Sequence, residues 1–294
     1  MSALRPRRAT LPKLTDRLTL GDSGLLVSPF CLGMVRSEDT HSAAFDAGIN
    51  FFFLSADLHW PYYDLARRGL ERLLARGPDI REQVVVALVS YVTQPEFCAG
   101  ALEEGLDAVS GLKFIDLAII GGAYSEEFLT RLHVYRGIRD YGNLGSKATG
   151  TTFHDRVAAL LAINHTLVDI AFIRYNPIHT GANLDLFPYL KRPTSTLLYN
   201  FKSTVGSLAT ERYAALGLND DYWQPKVTDY YRFALTRPEI DGLLCSPSTP
   251  QEVEALASAL EEGPLNEEEE KYLIDLATLD QGRGVLMPNV EEES

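Results

Sequence analysis

The chain has 294 residues, of which 46% are hydrophobic and 23% charged, a balance that excludes a disordered or collagen-like polypeptide and leaves room for one large core. Its net charge of −13, with no basic stripe beyond Arg5-Pro6-Arg7-Arg8, argues against nucleic acid as a partner. No apolar run approaches the roughly 20 residues of a membrane span and no signal-type stretch follows the basic N-terminus, so the expected location is the cytoplasm, with no membrane partner.

In chain order, Leu18-Thr19-Leu20 and Leu25-Leu26-Val27 flank the turn cluster Gly21-Asp22-Ser23-Gly24, which predicts a β-hairpin. From residue 29 onward short apolar runs alternate with amphipathic ones, the signature of repeated βα units. The expected strands are Phe30–Gly33, Ile49–Leu54, Val84–Val89, Ile115–Ile120, Ile138–Asn143, Val168–Arg174, Thr196–Phe201 and Ile240–Cys245. Most are almost wholly apolar, as strands buried on both faces must be.

Helical spacing of apolar residues falls in Asp64–Leu74, Phe97–Val109, Phe153–Ile163 and Pro250–Leu260. Thr249-Pro250 and Asn266 supply recognisable helix starts, the second leading a C-terminal helix over Glu267–Leu279. The insertion from Tyr213 to Tyr231 reads as an elaborated loop over a pocket, or as a surface for a protein partner. The acidic blocks Glu267–Glu270 and Glu291–Glu293 read as solvated surface. Cys31, Cys98 and Cys245 are an odd number without CxxC spacing in apolar settings, so free buried thiols are expected.

Eight units and no Gly-x-Gly-x-x-Gly after the first strand favour an α/β fold of the (β/α)₈ TIM-barrel type, with barrel boundaries near 29–262 in one domain spanning 1–294. Four segments then carry a resemblance. Leu20–Ser28 followed by Leu32-Gly33-Met34, Ala47–Phe52, Phe114–Leu117 and Ser248–Val253 resemble, in order, corresponding segments of the aldo-keto reductases.

That resemblance implies hydride transfer from a nicotinamide to a carbonyl, with a tyrosine acid tuned by a lysine and an aspartate and with a histidine orienting the carbonyl. The position implied for the aspartate, after Gly48-Ile49-Asn50-Phe51-Phe52, is Phe53. The tyrosine falls at Leu58, or at His59 with one extra loop residue; the lysine falls in Val84–Ser90, which contains no base; the histidine falls at Gly121, before Gly122. All four catalytic roles are vacant. For the cofactor, the lysine and arginine that would hold a 2′-phosphate match Ser246 and Glu252, and the adenine-reading pair falls at Ala255 and Leu256. Tyr199 matches the ring that would stack on the nicotinamide, and Ser246, Ser248 and Thr249 remain as candidate cofactor contacts. The expectation is no bound cofactor, with NAD(P)H the alternative.

The expected strand ends carry other polar groups. Asp57, His59 and Trp60 follow the second strand, Ser90 and Tyr91 end the third, Arg174, Asn176 and His179 the sixth, and Lys202 the seventh. In such a barrel these converge on the C-terminal mouth, so they are the candidate ligand-binding residues for a small molecule or peptide, and the excess of donors favours an anionic or carbonyl-bearing one. Asp57, His59 and Tyr62 are candidates for a relocated catalytic acid in an oxidoreductase. A metal at Asp57, His59 and His179 is not favoured, and a scaffold or regulatory role is the third reading.

Overall fold

The structure is a computed structural model that describes residues 4–218 and 221–282; the acidic run Glu291–Glu293 lies outside them. Strands β1 (Leu18–Leu20) and β2 (Leu25–Val27) form the expected antiparallel hairpin, pairing Leu18 with Val27 and Leu20 with Leu25. Its turn has room only for glycine at one point: Gly21 has φ +51°, and a Cβ there would lie 2.0 Å from the Asp169 carboxylate. The next eight strands are β3 (Phe30–Leu32), β4 (Phe51–Ser55), β5 (Val85–Ser90), β6 (Leu117–Ala123), β7 (Ala148–Phe153), β8 (Ile170–Arg174), β9 (Leu197–Phe201) and β10 (Gly242–Cys245). All pair in parallel and close into one barrel, with β10 against β3.

Aromatic rings fill the barrel. Strand alternation turns Phe51 and Phe53 to the same face of β4. Phe51 meets Tyr199 edge-on at 5.9 Å, Tyr199 meets Phe172 at 5.7 Å, and Phe172 meets Phe53 at 5.8 Å. These offset geometries are the preferred ones for aromatic pairs. Phe52 points outward and stacks on His41 of the helix Thr40–Asp46.

Below this column a repeated device sets the register. The residue before every second barrel strand accepts a backbone N–H from the preceding strand or, for Asn50, from Ser28 just ahead of β3. Asn50 Oδ1 takes Ser28 N–H at 2.7 Å, Asp116 Oδ2 takes Val86 N–H at 2.8 Å, Asp169 Oδ2 takes Thr149 N–H at 2.8 Å and Asp241 Oδ2 takes Leu198 N–H at 2.7 Å. The three aspartates also return their own N–H to the carbonyl of the same partner, at 2.7–3.0 Å. Each closes a two-point clasp.

The fifth barrel strand is a correction. It is Ala148–Phe153, whereas Ile138–Asn143 belongs to the end of the helix Phe128–Tyr141 and the loop after it. Ala-Thr-Gly-Thr-Thr-Phe is too polar to register as an apolar run, yet threonine suits a strand. Gly150 is required because a Cβ there would come within 2.7 Å of Ile170. The following helix accordingly starts at Arg156 rather than Phe153, with Asp155 accepting Val157 N–H at 2.8 Å as its cap.

Two surface expectations also change. Glu270 is buried, and together with Glu267 it holds Arg7 of the N-terminal segment, so half of that acidic block clamps the chain's start rather than facing water. The described residues of the Tyr213–Tyr231 insertion pack mainly on the C-terminal helix Glu267–Asp280, through Tyr213 and Leu218 against Tyr272 and Leu276, while Tyr231 at its end lines the cavity at the barrel mouth. The three cysteines are free and buried, as expected. No helix among the described residues is long and apolar enough to cross a membrane.

Two consequences are measurable. Asp169→Ala should lower stability in urea unfolding by about 1–3 kcal/mol, the usual cost of orphaning a buried N–H, while Asp169→Asn should cost less because Asn50 already performs the same task with an amide. His41 is wholly buried with both ring nitrogens unpartnered, and burial lowers its pKa to about 3. Because the unfolded chain then binds the extra proton, this contribution is complete above the ordinary imidazole pKa and declines as pH falls, by about 2 kcal/mol near pH 5. His41→Phe should flatten the acid limb of a plot of melting temperature against pH between pH 5 and 7.

Candidate functional site

Strand alternation carries the inward row of each strand to the C-terminal mouth. There Phe53, Tyr63, Tyr91, Phe201 and Tyr231 wall a cavity of about 540 Å³, and His59, Thr152, His154, Lys202, Ser203, Thr204 and Ser246 supply its polar atoms. Met34, Leu58, Val205 and Leu244 complete the lining. Among the described residues no carboxylate lines it.

Tyr91 is the centre of the arrangement. Its N–H donates to the Asp57 carboxylate at 2.9 Å, and the Ser90 hydroxyl donates to the same group at 2.6 Å. Asp57 is therefore committed to holding the loop. The Tyr91 hydroxyl meets the Thr152 side chain, whose Oγ1 accepts Gly122 N–H at 2.7 Å, and its ring stands edge-on to His59 at 4.6 Å. Burial, then Asp57, raises the Tyr91 pKa, so the phenol keeps its proton at neutral pH.

Beneath it, Arg131 is buried and donates to the carbonyls of Gly121 and Ser90 at 2.9 and 3.2 Å. Gly121 has no space for a side chain, since a Cβ would lie 2.7 Å from the Tyr91 ring and 2.8 Å from Ser90 O. The position that the sequence resemblance gives to a histidine is thus occupied by the tyrosine ring of the neighbouring strand.

Across the mouth, the loops after β8 and β9 are tied together. Tyr175 N–H donates to Asn200 Oδ1 at 2.7 Å, and Asn176 Nδ2 donates to Lys202 O at 2.8 Å. Asn176 Oδ1 also takes the N–H groups of Ile178 and His179, and lies 3.0 Å from His179 Nδ1. His179 is therefore a loop residue outside the cavity lining. Arg174 ends β8 on the inward row of Phe172 and pairs in register with Phe201. His154 ends β7; its pKa is lowered by burial first, then by Lys202 and Arg174.

Of the residues singled out from sequence, the fold gathers His59, Tyr91, Lys202 and Ser246 around the cavity, and sets Arg174 in register with the cavity-lining Phe201. Asp57, Ser90 and Asn176 hold its loops. Trp60 lies beside His59 against Arg67, and Tyr62 is 70% exposed; the neighbouring Tyr63 is the one that lines the cavity. Tyr199 is wholly inside the barrel, its hydroxyl donating to Ser28 O at 2.6 Å. Ser248 and Thr249 cap the helix Pro250–Glu261: Ser248 N–H donates to Glu252 at 2.7 Å and Thr249 Oγ1 accepts Glu252 N–H at 3.3 Å. His154 and Thr152 were missed because their strand was misplaced. Among the described residues no group of three or more His, Cys, Asp or Glu side chains could hold a metal.

No protein-family model matches the sequence, and no curated protein does. Solved structures do match in shape. The aldo-keto reductase AKR11C1 of Bacillus halodurans, in its holo form, superposes with a TM-score of 0.66 at 12% identity over 95% of this chain and 99% of its own. The aldo-keto reductase MGS-M4 from a Medee basin deep-sea metagenome gives 0.63 at 17% identity, covering 93% and 100%. The thermostable aldo-keto reductase Tm1743 gives 0.64 at 15%, covering 89% and 99%.

The fold is that of the aldo-keto reductases. Within it Phe53 is 2% exposed, tilted against Tyr63 at 6.2 Å and set edge-on to Phe172. A carboxylate introduced there would be desolvated among those rings. Phe53→Asp should therefore destabilise the protein by roughly 3–5 kcal/mol, as measured by chemical unfolding, and should not yield carbonyl reduction.

Proposed function

We propose that the protein is a divergent relative of the aldo-keto reductases whose barrel mouth is rebuilt to bind a small molecule, without their conventional acid–base group. Phe53 carries this reading. It stands in the interior aromatic column at the position implied for the aspartate, so the charge needed to tune a proton donor has no place to sit. The Tyr91 ring likewise fills the space above Gly121.

A phosphorylated nicotinamide dinucleotide does not fit the residues present. The Tyr199 ring is locked in the core by its bond to Ser28 and is not free to stack on a nicotinamide. At the start of the helix Pro250–Glu261, the chain's own Glu252 carboxylate occupies the end of the helix that would attract a phosphate. A relocated acid is a second reading favoured by one observation, the Tyr91 hydroxyl at the cavity wall. Its raised pKa weighs against it, as does the lack, among the described residues, of a lysine or carboxylate bonded to that hydroxyl.

Titration of NADPH and NADH against tryptophan fluorescence, with Trp60 beside the mouth as reporter, tests the proposal. NADPH should bind no more tightly than NADH, and neither should be consumed with aldehydes or quinones above background. Glu252→Arg should move the preference toward NADPH. Turnover proportional to protein concentration, abolished by Tyr91→Phe, would instead establish the relocated-acid reading.

A further inference from the structure

We infer that the mouth cavity is a site for a small organic anion with a flat apolar body, held by Lys202 with His154 and Arg174 around it; this rests on the mouth being a binding site. The cavity's volume of about 540 Å³ suits a small metabolite, within the range of about 300–1,000 Å³ usual for ligand pockets. Its long walls are aromatic, and its charge is one-sided.

The one-sidedness is informative because carboxylates outnumber cations 40 to 27 in this chain. Most arginines are paired, yet neither Lys202 nor Arg174 forms an ion pair among the described residues. Asp57 and Asp155, carboxylates that follow β4 and β7, are engaged elsewhere. Asp57 accepts Leu58 N–H, Tyr91 N–H and the Ser90 hydroxyl, and Asp155 accepts Val157 N–H and the Ser125 hydroxyl. Phe201 stands between Lys202 and His154, with Lys202 Nζ 5.8 Å from its ring and the His154 ring 6.3 Å away on edge. An anion entering between them meets donors and no competing acceptor charge.

The backbone at Lys202 points the same way. Its φ is +57°, one of two such non-glycine residues among the described ones, and Asn176 holds its carbonyl in that turn. A glycine would adopt the turn without steric cost, yet the position carries a lysine whose side chain lines the cavity. Carboxylate and phosphate share the required chemistry.

Ligand-observed NMR competition at fixed ionic strength separates the cases, using benzoate, 3-phenylpropanoate and phenyl phosphate against benzamide and 3-phenylpropanamide. The anions should bind at least about tenfold more tightly than the amides, and the stronger of the carboxylate or phosphate arms identifies the headgroup. Lys202→Met should remove that advantage and leave amide binding unchanged. Lys202→Gly relieves the left-handed backbone, so it should fold at least as stably and lose the same advantage, which excludes misfolding as the cause. Amides binding as tightly as anions, anion affinity indifferent to both variants, or no anion binding at all would each overturn the inference. Equal binding of amides and anions leaves the binding reading standing, whereas nicotinamide-dependent turnover overturns that reading without touching these affinities.

Discussion

The clasp at the barrel floor is the constraint from which the rest follows. A parallel strand has no tight turn to fix its register, and a slip of one residue would exchange inward and outward side chains along its whole length. Asn50, Asp116, Asp169 and Asp241 prevent that by accepting one backbone N–H of the preceding strand or, for Asn50, of Ser28 just ahead of β3. Because they recur at every second strand, the eight strands are bound in four pairs. The ends of the strands at the mouth are thereby fixed from the opposite side of the barrel.

Register in turn decides what fills the interior. Tyr199, Phe51, Phe172 and Phe53 rise through the barrel in edge-on contact, and the uppermost of them forms part of the cavity wall. Phe53 thus belongs both to the interior column and to the wall of the pocket. Tyr91 has the same double character: it lines the cavity while its ring excludes any side chain at Gly121, and Arg131 holds both backbones from below.

Most of the architecture is legible in the sequence because buried parallel strands are apolar runs and the helices have capped starts. Seven of the eight barrel strands fall where apolar runs predict them, as does the hairpin. The eighth, Ala148–Phe153, is hidden because three threonines and a glycine sit where bulky neighbours already fill the space. That error concealed His154 and Thr152. Sequence places Asp57, Asn176 and His179 correctly at strand ends, but only coordinates reveal that their polar atoms serve the loops. Tyr62 and Tyr63 are adjacent and chemically identical, and the 3₁₀ turn Trp60–Tyr63 alone determines which one faces inward.

The amides of Asn176 and Asn200 join the two loops that bear Arg174 and Lys202 across neighbouring strands. Loops on separate strands would ordinarily fluctuate independently, and a ligand would have to freeze each of them. Here one asparagine reaches forward and the other back, so the two segments form a single cross-braced rim whose ordering entropy is lost during folding. A ligand arriving at that rim would meet groups already at rest.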